Sequence, residues 1–143
     1  MKIINYIDNE ISGLSNNQKD EIIQFLFNHL EEYGDEYEAI EKCLNFAAVK
    51  GGSVWLAFDE NMLVGVCIFN ETGMQGYIPE NILVYIAVHK SQRGKGLGKQ
   101  IIQAALDRIK GDIALHVEKD NPAKYLYEKL GFTNPYLEMR LKR

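Results

Sequence analysis

The sequence predicts a fold of class α+β, a mixed α/β arrangement with strands and helices interleaved along the chain. Three observations predict it. Hydrophobic periodicity gives the order strand, two helices, three strands, helix, strand, helix, strand. The 143 residues, 46% hydrophobic and 25% charged, carry no internal repeat, low-complexity tract or linker, which predicts one domain over residues 1–143 with a core large enough to fold unaided. The stretch from Asn81 to Lys110 runs from a β-branched apolar segment through a glycine-spaced basic loop into an amphipathic helix.

A short strand near Lys2 to Ile7 opens the chain. Ser15-Asn16-Asn17-Gln18 reads as a capping box, after which Ile22, Ile23, Phe25, Leu26 and Leu30 recur at helical spacing, with a stop expected near Gly34. Asp35, with Glu38 three residues on, predicts the cap of a second helix, whose apolar face includes Ile40, Leu44, Ala47 and Ala48. Gly51-Gly52 ends it. Val54 to Phe58, the polar turn Asp59-Glu60-Asn61 and Leu63 to Phe69 read as a β-hairpin, with Trp55 assigned to the core. Residues 70–80 form a loop into the strand Ile82–Val88. The following helix is expected to run to about Lys110, and Gly111-Asp112 turns the chain into the strand Ile113–Val117. Asn121 caps a further helix with Pro122 at its first position, Gly131 closes it, and Tyr136 to Leu141 alternates as a last strand.

Composition narrows the function classes. A net charge of -4 argues against general nucleic-acid binding. No apolar run reaches 18 residues, so no membrane span or membrane partner is expected, and MKIINYIDNE lacks the features of a signal peptide. Two cysteines, Cys43 and Cys67, and three scattered histidines have neither disulfide nor metal-site spacing. A cytoplasmic protein with buried reduced thiols and no metal is the expectation; whether it forms a homodimer is left open. The charge is unevenly placed: Glu31, Glu32, Asp35, Glu36, Glu38 and Glu41 crowd one segment, whereas Lys90, Arg93, Lys95, Lys99, Arg108 and Lys110 crowd another.

The basic segment is a physical recipe for holding phosphate. The first turn of a helix leaves backbone N–H groups without partners, and the helix dipole favours an anion there. Gly94, Gly96 and Gly98 let the backbone approach closely. Their G-x-G-x-G spacing is one residue short of the dinucleotide fingerprint, and Gly98-Lys99 is followed by Gln100 rather than the Ser or Thr of a Walker A loop. The pattern R-x-x-G-x-G behind a strand ending Ile-Ala-Val instead resembles the coenzyme A loop of the GNAT superfamily of acyl-CoA-dependent N-acyltransferases. Asn121-Pro122-Ala123 and Leu126-Tyr127-Glu128-Lys129-Leu130-Gly131-Phe132 are similar to the same family. The resemblance covers the chain from about Val54 onward.

The resemblance implies a mixed, twisted central sheet with helices on both faces and a splayed pair of parallel strands, Ile82–Val88 and Ile113–Val117. Within that wedge, backbone groups of Ile86, Ala87 and Val88 would hold the pantetheine arm. Arg93, Gly94, Lys95, Gly96, Leu97, Gly98 and Lys99 would hold the pyrophosphate, and Asn121 would bond the cofactor. Asn121 and Tyr127 lie six positions apart, against seven in many relatives, so Asp120 competes with Asn121 for that place. The implied reaction moves an acetyl or other acyl group from acetyl-CoA to a primary amine of an unidentified acceptor.

That chemistry sets its own requirements. The amine must lose a proton to attack, which calls for a base or a water leading to one. The carbonyl oxygen gains charge and needs a fixed donor, for which the Val88 N–H is the candidate, worth on the order of 3–4 kcal/mol. The departing thiolate needs an acid, and the resemblance assigns it to Tyr127; spacing alone also allows Tyr127 a place in the core. No carboxylate lies in Ile82–Val88, where many relatives keep a base. His116 occupies the position of an alternative one, five residues before Asn121, and Glu80 is a second candidate. His29 and His89 are expected to be solvated. If the acidic tract faces the cleft it would concentrate a cationic amine. A non-catalytic acyl-CoA sensor and a nucleotide-binding domain are the competing readings.

Overall fold

The computed structural model describes residues 1–143. A single helical turn that periodicity could not reveal, α1 (Asn9–Ser12), precedes the first long helix, α2 (Asn16–His29). Here the capping box forms as the sequence dictates. The Gln18 N–H donates to Ser15 Oγ at 3.1 Å and the Ser15 N–H to Gln18 Oε1 at 2.8 Å, satisfying two of the helix's orphan donors. The second cap differs from expectation. Helix α3 (Tyr37–Val49) starts from Glu36 with no side-chain cap, because the Asp35 carboxylate instead accepts a 2.6 Å hydrogen bond from Tyr85.

Five strands, β1 (Lys2–Ile7), β2 (Gly52–Asp59), β3 (Met62–Glu71), β4 (Asn81–Val88) and β5 (Ile113–Leu115), make one sheet in sequence order. The first four pair antiparallel, and β5 runs parallel to β4. Alternation along the central strands buries both faces. Val54, Leu56, Val66 and Ile68 join α1, α2 and α3 in one core, whereas Trp55, Ala57, Val64, Cys67 and Phe69 join Leu97, Ile101, Ile102 and Tyr127 in a second. Trp55 is a core residue, its indole N–H donating to Ser53 Oγ at 2.9 Å. Helices α4 (Leu97–Leu106) and α5 (Ala123–Lys129) therefore cover the face opposite α1–α3. Gly65 lets α4 approach: a Cβ there would stand 2.6 Å from the Ile101 side chain.

Three expectations need correction. Helix α4 ends at Leu106, not Lys110, as the Arg108 and Ile109 N–H groups both turn to the Ala105 carbonyl and Gly111, at φ 93°, reverses the chain. Strand β5 stops at Leu115, so His116 and Val117 lie beyond it. Residues 136–141 form no strand with the sheet; they lie outside regular structure and are exposed.

Cys43 and Cys67 are buried free thiols. Burial pushes the Cys43 thiol up to about 12, and burial raises Cys67 as well. In the unfolded chain such a thiol ionises near 9.0, so the folded state keeps its proton longer. The associated stability is complete below pH 9.0 and is lost as the pH rises towards 12. The melting temperature is expected to fall across this alkaline range, and to fall less steeply in Cys43→Ala. An identical slope in a calorimetric pH series would remove Cys43 from the cause.

Candidate active site

Pairing between β4 and β5 covers only Asn81, Ile82 and Leu83 opposite Ile113, Ala114 and Leu115. Where it stops, β4 carries a bulge. Ile68 pairs with Tyr85 and Phe69 with Leu83, leaving Val84 extra. The bulge puts two successive side chains, Val84 and Tyr85, against the α2–α3 core, after which Ile86 and Val88 face α4 and α5. It also fixes which backbone groups are free. The His89 N–H bonds the Val64 carbonyl at 2.8 Å, so the alternation of an antiparallel ladder makes Ala87 the bonded partner of Val66. The N–H and C=O of Ile86 and the N–H of Val88 then point to the open edge, while the Val88 C=O on that edge is taken by the Arg93 side chain. Two of the three expected backbone positions thus face the wedge, while the polar groups of Ala87 are occupied by β3.

Beyond β4, Gly94 and Gly96 adopt φ 75° and 80°, a left-handed backbone that glycine accepts without strain. Gly96 is the N-cap of α4 and has no side-chain cap; the first N–H returned to the helix is that of Gln100, to the Gly96 carbonyl. The N–H groups of Leu97, Gly98 and Lys99 are left without intrahelical partners. Lys95 and Lys99 are exposed beside them. Gly98 lies against Leu126 and Val88, drawing together α4, α5 and the end of β4. These free donors and cations suit a pyrophosphate. Arg93 does something else. Its guanidinium binds Glu31 at 3.0 Å, the His29 carbonyl at 3.2 Å and the Val88 carbonyl at 3.3 Å, bracing the loop against the end of α2. That contact holds the Glu31 carboxyl below its ordinary range.

Tyr127 is 8% exposed and packs edge-on against Phe132, with ring centroids 5.9 Å apart. It shares its cluster with Ile86, Val88, Leu97 and Leu126, on the side to which the free β4 edge leads. Burial pushes its hydroxyl up to about 12, so it remains a proton donor at neutral pH. The Asn121 carboxamide oxygen accepts from the Ala123 N–H at 2.9 Å, opening α5. His116 is exposed just past β5, with no side-chain partner. Glu80 is fixed elsewhere: its carboxylate accepts from the Asp112 N–H at 2.7 Å and the Gly76 N–H at 3.3 Å, bonds that hold its pKa low. It braces the 70–80 loop and makes a poor base.

The segment between α2 and α3 carries the acidic tract and reaches three parts of this site. Glu31 holds Arg93, the Tyr33 hydroxyl donates to the Asp120 carbonyl at 3.4 Å, and Asp35 accepts from Tyr85. Tyr85 was legible only as one more apolar strand residue, although a tyrosine in such a run carries a polar end needing a partner. Burial and the Asp35 charge raise its pKa. His29 is not solvated as expected. It is half-buried between Phe25 and His89, with ring centroids 4.4 and 4.9 Å away, its Nδ1 has no partner, and burial lowers its pKa.

The arrangement offers an anion cradle, an open strand edge for an extended amide-bearing arm and a protonated phenol beside that edge. Comparison with known proteins agrees. The family model of the acetyltransferase (GNAT) domain matches residues 50–134. The N-alpha-acetyltransferase 30 of Schizosaccharomyces pombe (strain 972 / ATCC 24843) is 31% identical over 83 residues, 54% of this chain and 55% of that protein; the chain thus matches about half the length of that relative. Among solved structures, a transcriptional regulator from Bacillus halodurans C-125 superposes with a TM-score of 0.73 at 17% identity, covering 99% of this chain and 100% of the other. A ribosomal-protein-alanine N-acetyltransferase from Brucella melitensis biovar Abortus 2308 gives 0.70 at 20% identity over the whole of both chains. No helix is long and apolar enough to cross a membrane.

Proposed function

The chain belongs to the GNAT acetyltransferase family and is by family an acyltransferase; from that premise we propose that residues 1–143 form one N-acetyltransferase domain moving the acetyl group of acetyl-CoA to a primary amine. The observation that carries this reading is the coincidence of three features at one point. Strand β4 parts from β5 after Leu83 while staying paired with β3, the glycine loop delivers free N–H groups at Leu97–Lys99, and Tyr127 packs beside the resulting edge. Pyrophosphate oxygens accept from the α4 N-terminus, with Lys95 and Lys99 adding charge. The pantetheine arm extends the sheet along Ile86 and Val88, and the Asn121 amide adds one more bond. The Val88 N–H donates to the carbonyl oxygen as charge builds there.

The acceptor's neutral nitrogen attacks the carbonyl carbon, the C–N bond forms, the C–S bond breaks, and the departing sulfur takes the Tyr127 proton. The nitrogen's extra proton leaves through His116, which reaches solvent directly, and the Tyr127 phenolate is reprotonated from water. The acidic tract, which reaches the site through Glu31 and Tyr33, suits a cationic acceptor, either a small-molecule amine or a peptide amine. The decisive measurement is product mass after incubation with acetyl-CoA and a panel of amines: a gain of one acetyl group is expected on at least one amine. Hydrolysis alone, or binding without transfer, would make the chain an acyl-CoA sensor. Against its best amine, His116→Gln is expected to lower kcat/KM about 10-fold and to flatten the acid side of the pH profile. An unchanged profile would leave the proton to water.

A further inference from the structure

Glycine is the usual residue directly after the C-cap of a helix when the chain there turns left-handed. After Leu30, the C-cap of α2, this chain carries Glu31 instead, at φ 57°. A non-glycine residue is strained in that region, and such strain persists where the surrounding contacts hold it. What holds Glu31 is Arg93, whose Nη1 lies 3.0 Å from its Oε1. The same guanidinium donates to the His29 carbonyl, one of the acceptors that the end of a helix leaves unpaired, and to the Val88 carbonyl at the end of β4. The rings of His29 and His89 also meet, with centroids 4.9 Å apart. Arg93 thus joins the end of α2 to the end of β4 at the point where the glycine loop begins.

Little else shapes that loop. Gly94 and Lys95 make no backbone hydrogen bond, a Cβ on Gly94 or Gly96 would touch nothing, and the next buried residue is Leu97. The loop is fastened at Arg93 and at Leu97, with Gly94-Lys95-Gly96 spanning the gap. Resting on the acetyl-CoA site proposed above, we propose that Glu31 is a positioning residue for the donor: by holding Arg93 it fixes the loop in the shape that presents the Leu97–Lys99 N–H groups to the pyrophosphate. Each of the three guanidinium nitrogens is committed to this brace, so Arg93 contributes geometry rather than charge. Charge alone predicts the opposite sign for Glu31, since an anion beside a phosphate site should weaken it. The two side chains are 43% and 47% exposed, so their pairing adds little to folding and its loss can be read in binding.

Titration calorimetry with acetyl-CoA on the full chain, alongside melting temperatures, tests this. Glu31→Gly relieves the backbone and removes the carboxylate together. It is expected to melt no lower than the parent, yet to bind acetyl-CoA about 10-fold more weakly. Glu31→Gln keeps the reach and an oxygen for the same N–H, and is expected to bind within about 3-fold of the parent. Glu31→Gly added to Arg93→Ala is expected to cost nothing beyond Arg93→Ala alone, because both remove one brace. Equal or tighter binding by Glu31→Gly would reduce the carboxylate to a mask on the Arg93 charge and overturn the proposal. A melting temperature that falls in step with affinity would make Glu31 merely structural and overturn it as well. So would a Glu31→Gln variant as weak as Glu31→Gly, or losses at Glu31 and Arg93 that add in full. A parent chain that binds no acetyl-CoA overturns this proposal and the donor reading beneath it together, whereas the other failures leave that reading standing.

Discussion

Gly96→Asp is expected to weaken acetyl-CoA binding by about 100-fold or more, equivalent to roughly 2.7 kcal/mol. Gly96 stands at φ 80° as the N-cap of α4, and a Cβ built on it meets nothing within 4 Å. The protein therefore does not crowd the new side chain. Two effects follow, and they separate. A left-handed backbone costs a non-glycine residue roughly 1–2 kcal/mol, while a carboxylate at a helix N-terminus returns about 0.3–1 kcal/mol. Folding should suffer little. The negative charge, however, would occupy the space above the Leu97–Lys99 N–H groups, where the pyrophosphate is proposed to sit. Gly96→Ala carries the backbone strain without the charge and should bind only a few-fold more weakly. Titration calorimetry on both variants, with melting temperatures alongside, decides the matter. If Gly96→Asp bound as well as the parent, the loop would not be the cofactor cradle.

How much of this was legible in the residues depends on whether the signal was local. Ser15 and Gln18 are three positions apart and close their capping box by themselves. The run of glycines and the apolar strand before them likewise encode a loop and a helix N-terminus within one short stretch. The helices on both faces and the splayed parallel pair came from the family resemblance, and the sheet agrees with them. What escaped is long-range. Arg93 reads as one more cation over the phosphate, but its guanidinium finds Glu31, 62 positions earlier. Asp35 reads as a helix cap, but a tyrosine 50 positions later claims it; burial and a carboxylate outweigh a cap worth about 1 kcal/mol. Alternation at Tyr136–Leu141 reads as a strand, but these residues join no ladder and stay exposed, because a period of two says nothing about whether a partner edge lies within reach.

Tyr127→Phe is expected to lower turnover about 100-fold, roughly 2.7 kcal/mol of transition-state free energy, while leaving acetyl-CoA affinity and the melting temperature nearly unchanged. The ring is 8% exposed and packs against Phe132, and phenylalanine keeps that packing. The Tyr127 hydroxyl is not stranded in the interior without a partner and makes no hydrogen bond within the protein that its loss would break. A structural tyrosine would thus be almost neutral to this change. As an acid it would not: burial pushes its pKa to about 12, so it holds a proton at neutral pH for the departing thiolate, whose ordinary pKa is about 8.5. The leaving group supplies the control. A thioester of a more acidic thiol needs less help as the C–S bond breaks, so the penalty of the variant should shrink with such a donor. Equal turnover with acetyl-CoA would return Tyr127 to the core. A penalty independent of the thiol would mean that it positions the donor rather than protonating the sulfur.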